Sequence, residues 1–194
     1  DNERGIVIEE WRTGRGANQR MRDQTFPVLL KDSRYAQRLP IGTLESLEGF
    51  SHESLKRFYS EWYRPDLMAV VVVGDIQVDE IEAKIRDHFS QLSNPESARE
   101  RQLYDVPDHD ETLVSIVTDE EATFSTITLY VKNELKKEVT LKDYYQSLLH
   151  IFYSNMLSQR LQEIAQQPSP PFIYAGASYG GFIGEKTAFT ATGN

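Results

Sequence analysis

The stretch Leu55-Lys-Arg-Phe-Tyr-Ser-Glu-Trp-Tyr-Arg-Pro-Asp66, followed by Met68-Ala-Val-Val-Val-Val-Gly-Asp75, changes its hydrophobic period partway along. Leu55, Phe58, Tyr59 and Trp62 recur at helical spacing, which predicts a helix with one face toward a core. Ser51 stands where an N-cap is needed, Glu53 favours the first turn, and Pro65 ends the helix. Met68 to Val73 is apolar without interruption and is stopped by Gly74-Asp75. Such a run predicts a strand buried on both faces. Helical spacing returns over Asp79 to Leu92, with Ile81, Ile85, Phe89 and Leu92 on one stripe.

Upstream, Glu3 to Trp11 reads as the end of a helix, broken by Gly14 and Gly16. Asn18 to Leu30 predicts a second helix interrupted by Pro27, and Lys31 to Gly42 a loop punctuated by Pro40 and Gly42. Downstream, the polar segment Ser93 to Asp110 reads as a linker between two parts of one unit. Leu113 to Val117 and Phe124 to Val131 alternate apolar and polar residues, as half-buried strands do. Between them Asp119-Glu120-Glu121 reads as a solvated turn. Leu141 to Ile164 carries a long helical pattern that Gln166 to Pro171 breaks with three prolines. Phe172 to Tyr179 and Thr187 to Thr192 then read as strands. Helices grouped against a mostly antiparallel or mixed sheet give an α+β class, a two-layer sandwich.

The 194 residues (22.3 kDa) are 39% hydrophobic and 26% charged, a globular composition with room for one large domain or two small ones. A net charge of -9 repels nucleic acid and anionic lipid, and no Lys/Arg cluster reverses it locally. Without cysteine there is no disulfide framework, no thiolate zinc site and no thiol catalysis. The apolar run Met68 to Val73 is far short of the roughly 20 residues of a membrane helix, so no membrane span is expected. The start, Asp1-Asn2-Glu3-Arg4, has neither an initiator Met nor an apolar signal core, and reads as the cut end of a longer chain.

His52, His88, His109 and His150 are far apart, with no pair at the three- or four-residue spacing of a local metal clamp. The glycines complete no dinucleotide fingerprint or phosphate loop, and no serine sits in a nucleophile elbow. One pair of carboxylates stands out. Glu3 and Glu10 are one heptad apart, within about 20° of one direction on a helix, with Ile6 and Val7 on the same face. Acids on an apolar face are costly to bury unless something positive meets them. On spacing alone, a helix end with solvated acids is the simpler reading.

Residues 3–12, Glu-Arg-Gly-Ile-Val-Ile-Glu-Glu-Trp-Arg, resemble the downstream zinc-ligand helix of the pitrilysin/insulinase (M16) metallopeptidases. The resemblance continues through Arg38-Leu-Pro-Ile-Gly-Thr43, the helix–strand block of residues 55–75, and Leu157-Ser-Gln-Arg-Leu161, in the family's order. The Trp-Arg-Thr-Gly run together with Arg38 to Gly42 is most similar to the bacterial PqqL-like subgroup. It implies that Glu10 matches the position of the third protein ligand to zinc. Glu3 would be a carboxylate that supports the catalytic site, while Glu9 points off that face. The fold implied is a LuxS/MPP-like half-module, with residues 1–39 as the tail of the zinc-ligand half-domain and residues 40–194 as the second half-domain. The implied function is that of a zinc-dependent metalloendopeptidase, a hydrolase that uses metal-activated water for proteolysis of a peptide or small protein. Its partners would be the remaining half-modules of the same enzyme, and its compartment the bacterial periplasm or envelope. Two departures qualify this. The family's His-x-x-Glu-His motif is absent, so the isolated chain is expected to be inactive. Gln166-Gln-Pro-Ser-Pro-Pro171 also replaces the usual Glu-Lys-Gly-Leu-Ala-Tyr, so no substrate contact is assigned to Tyr174. The alternative is a non-catalytic M16-like partner module that shapes a peptide chamber or binds a processing subunit.

Overall fold

A computed structural model describes residues 2–194. Their elements run α1 (Asn2–Thr13), α2 (Ala17–Leu29), α3 (Leu44–Gly49), α4 (His52–Trp62), α5 (Val78–Phe89), β1 (Ile127–Glu134), α6 (Leu141–Ala165), β2 (Ala175–Ile183) and β3 (Lys186–Gly193). The class is α+β, with one antiparallel sheet ordered β1-β3-β2 among the described residues. The chain divides into two compact units. The smaller holds Thr43–Gln102 and the start of α1 up to Arg4; the larger holds Gly5–Gly42 and Leu103–Asn194.

In the larger unit the central strand β3 pairs with both neighbours. Phe189 stands opposite Val131 on one side and Tyr179 on the other. The β2–β3 connection needs Gly184 at φ 57°, and a side chain there would press on the ring of Tyr35. Helix α6 opens with a reciprocal capping box between Thr140 and Asp143. It is docked on β2 by Ser158, whose hydroxyl accepts from the Ala177 amide at 3.0 Å and donates to the Ala177 carbonyl at 3.1 Å. Tyr153 meets Phe189, and His150 lies 4.0 Å from the Tyr179 ring. The buried apolar residues are Leu30, Val106 and Ala188. They lie where the end of α2, the 104–106 segment and the sheet come together. Ser33 donates to the Asp105 carbonyl at 2.7 Å, Tyr35 meets Tyr104 edge-on, and Lys132 donates to the Leu29 carbonyl. Part of the expected linker is therefore core. Pro27 does not interrupt α2, because it falls in the last turn and removes a single ladder donor before the helix closes at Leu30.

In the smaller unit Ser51 caps α4 by accepting from the Ser54 amide. Beyond that helix, Arg64 is buried, lies 3.0 Å from Asp66 and donates to the Arg99 carbonyl, while Arg99 reaches back to Glu61. Two sequence expectations fail here. Met68 to Val73 forms no strand, and Val71 and Val73 are 82% and 91% exposed. A strand exists only where a neighbour accepts and donates its ladder hydrogen bonds, and no described residue pairs with this run. The α4 face of Leu55, Phe58 and Tyr59 is likewise exposed rather than packed in a core. In the larger unit, Leu113 to Val117 is extended without a ladder, with Val114 and Ile116 exposed.

Candidate metal-ligand helix

Helix α1 carries both singled-out carboxylates. Glu3 lies in its first turn and Arg12 in its last, the polarity that the helix dipole favours. Gly14 closes the C-terminus by donating to the Glu10 carbonyl at 2.9 Å, and the Thr13 hydroxyl donates to the carbonyls of Glu9 and Glu10. Arg15 lies over the Trp11 ring at 4.6 Å.

The three glutamates differ in what they touch. Glu9 is taken by Arg12, one turn on. Glu3 and Glu10 are exposed, and among the described residues neither carboxylate makes a hydrogen bond or ion pair. On the apolar part of the face Val7 is half-buried and Ile6 is 61% exposed. An unengaged carboxylate suits Zn²⁺ as an anionic oxygen ligand. No three His, Cys, Asp or Glu residues converge on a metal position among the described residues. His109 is bonded to the Glu111 carbonyl, His150 to Gln146, and His88 meets Phe89.

The start of α1 is held by a residue that sequence reading passed over. Arg4 donates to the Leu47 carbonyl at 2.5 Å, the Glu48 carbonyl at 3.2 Å and the Phe50 carbonyl at 2.9 Å, and its guanidinium lies 4.1 Å from the Phe50 ring centre. Its partners are backbone carbonyls more than forty residues away, so no side-chain pattern announced them.

Two ion clusters in the larger unit are also new. Arg20 clasps Asp119 through two bonds of 2.6 and 2.7 Å and also reaches Glu121, so the acidic turn is not merely solvated. The Arg20 guanidinium holds the Asp119 carboxyl below the ordinary aspartate range. Lys186 is buried and held by Glu134 and Asp108, which keep its ammonium charged well above the usual lysine range. Both clusters are fully paired scaffold features.

With this geometry in place, comparison with known proteins fixes the class. Residues 49–182 match the family described as "Peptidase M16 inactive domain", and the chain belongs to the M16 peptidase family. It is 34% identical over 174 residues to the zinc protease PQQL-like of Arabidopsis thaliana, covering 89% of this chain and 18% of that protein. Among solved structures it is similar to the first half of the periplasmic protease PqqL from Escherichia coli, with a TM-score of 0.86 at 27% identity, over all of this chain and 42% of that one. It is also similar to the ferredoxin protease FusC in complex with Arabidopsis ferredoxin, with a TM-score of 0.80 at 26% identity, over all of this chain and 22% of that one. The chain spans about a fifth of the length of the curated relatives it matches. Glu3 and Glu10 precede the matched inactive domain.

Proposed function

We propose that this chain is part of a PqqL-like zinc metalloendopeptidase. In that reading residues 1–39 end the zinc-ligand half-domain, and residues 40–194 form the second half-domain of one peptidase module. When bound, zinc supplies the Lewis acid that polarises a scissile carbonyl and activates a water. Glu10 would furnish one anionic ligand to it. Glu3, one heptad earlier, would place a second negative charge beside the site and help to steady it. The remaining ligands and the general base would come from a His-x-x-Glu-His segment elsewhere in the longer protein. Residues from about 40 onward build scaffold, which suits the inactive-domain description of residues 49–182.

The observation that carries the reading is the contrast within α1: Glu9 is paired with Arg12, while Glu10 offers an exposed carboxylate, unengaged among the described residues, at the position that resembles the family's ligand. The proposed substrate is a peptide or small protein, a reading supported by the protease relatives, one of which is solved with ferredoxin bound. The proposed setting is the periplasm or envelope, a reading supported by the periplasmic relative. A second reading, a non-catalytic M16 partner module, draws on the same inactive-domain match.

Glu10→Gln in the intact protein separates the two. A neutral amide cannot supply the charge that Zn²⁺ favours, so zinc content and peptide cleavage should fall sharply while the fold persists. Full zinc content in that variant would refute the ligand assignment. The 194-residue chain alone should bind no stoichiometric zinc in equilibrium dialysis and should not cleave a quenched fluorescent peptide. Cleavage should return when the half bearing His-x-x-Glu-His is added.

A further inference from the structure

We propose that the outer face of α6 is a self-association surface, on which a second copy of this chain lays its own α6 antiparallel to the first.

Helix α6 presents two different sides within the larger unit. One docks on β2 through His150 and Ser158, and Ser154, on the same side, is buried. The far side carries Tyr145, Leu149, Phe152 and Met156, spaced by steps of four and three residues. All four are exposed, Tyr145 by 63% and Met156 by 67%. The same steps run outward to Lys142 at one end and through Gln159 to Glu163 at the other. A seam of three heptads with an apolar middle is the pattern that receives a facing helix. A helix that is apolar on both sides belongs inside an assembly, and the sheet covers one side only.

The charges say which helix fits. Residues 142 and 163 are equally far from the Phe152–Tyr153 step, as are 145 and 160, and 149 and 156. An antiparallel second α6, related by a twofold axis beside that step, therefore brings Lys142 level with Glu163 of the second copy. It brings Tyr145 level with Arg160, where a guanidinium can lie on the ring, and Leu149 level with Met156. Arg160 already holds Glu163 at 2.9 Å on its own helix, so the incoming Lys142 completes a three-charge group at each end. A parallel pair would instead set Lys142 on Lys142, Arg160 on Arg160 and Glu163 on Glu163. Such charges fix direction and register more than strength. Strength follows from size: the seam is about 32 Å long and about 10 Å wide. The resulting patch of roughly 300 Å² per copy is less than half of the roughly 800 Å² that a stable interface takes from each partner. The pair is a weak, closed dimer that forms at high concentration.

Because the chain has no cysteine, one introduced thiol reads the geometry without background. Phe152 lies beside the axis, so Phe152→Cys should cross-link copy to copy on mild oxidation. Glu163→Cys should not, since its two thiols would stand about 32 Å apart and a disulfide spans no more than about 7 Å between Cα atoms. Sedimentation equilibrium of the 194-residue chain should show a monomer–dimer equilibrium. Phe152→Glu and Met156→Lys, both at exposed positions, should keep the native melting curve and weaken the dimer at least tenfold. Lys142→Glu should weaken it about threefold, and adding Glu163→Lys to it should restore the affinity. A chain that stays monomeric up to millimolar concentration overturns the proposal. So does a dimer in which Phe152→Cys forms no disulfide, or in which Glu163→Cys cross-links as readily. The same Phe152→Cys change in the longer protein tests for another occupant. If no cross-link forms between copies there, whether the thiol is open to a maleimide or shielded by another part of the same polypeptide, the proposal is overturned.

Discussion

Ala188 and Val72 each sit in a stretch that reads as a strand in the sequence, yet one is 5% exposed and the other 43%. Ala188 lies on β3, which has hydrogen-bonded neighbours on both edges and the end of α2 and the 104–106 segment nearby. Val72 lies in a run with no ladder partner among the described residues. The comparison shows that apolar character supplies the drive to be buried, but lateral partners decide whether burial happens. A backbone whose amides and carbonyls are unpaired would forfeit more by leaving water than its valines gain.

The sharpest way to break this comparison is to place the same charge in both regions. Ala188→Asp puts an unpaired carboxylate into the central strand, at several kcal/mol, and should abolish the cooperative melting of the larger unit. Val72→Asp in this chain should change stability by about 0.5 kcal/mol or less, as exposed substitutions do. A native melting curve for Ala188→Asp, or unfolding by Val72→Asp, would reverse the ordering.

Ser158→Ala probes how α6 holds the sheet. It removes the acceptor of the Ala177 amide and the donor to its carbonyl, and about 1–3 kcal/mol should be lost where such a group is left unsatisfied. Denaturant melts would register it as a lower midpoint at unchanged slope. Thr140→Ala takes away the capping box at the start of α6 and should cost about 1 kcal/mol. The expected signature is fraying confined to the first turn by amide exchange.

The smallest effect is electrostatic. Because Arg20 depresses the Asp119 carboxyl, this pair contributes stability above the ordinary aspartate value near 3.9, and that contribution is lost as pH falls through the lower folded value. Arg20→Gln should move the Asp119 titration, followed by NMR, back up toward the ordinary range. An unmoved titration would show that the clasp does not persist in solution.

Local signals were legible in the sequence wherever their physics is local. Ser51 before its helix, the long pattern of Leu141 to Ile164 and the closing strands around Tyr179 and Thr190 each appear in place. So does the helix that carries Glu3 and Glu10. Glu10 was legible as a candidate through its resemblance to a ligand position, and spacing alone left it a solvated acid. What sequence could not show were the contacts whose information lies far away along the chain. Arg4 is satisfied by carbonyls that any residue type would offer at positions 47, 48 and 50. Arg20 meets Asp119 across ninety-nine residues.

The sequence by itself determined that this is an acidic, cysteine-free α+β chain and set its helix caps, because composition and capping act within a few residues. Tertiary structure alone decided which apolar runs become strands and which charges are spent on partners. It buried Lys186 between Asp108 and Glu134, exposed Val71 and Val73, and left Glu10 without a partner among the described residues beside a Glu9 paired with Arg12. Hydrogen-bond ladders and ion pairs require two segments to meet, and neither segment carries in its own residues the record of where the other will be.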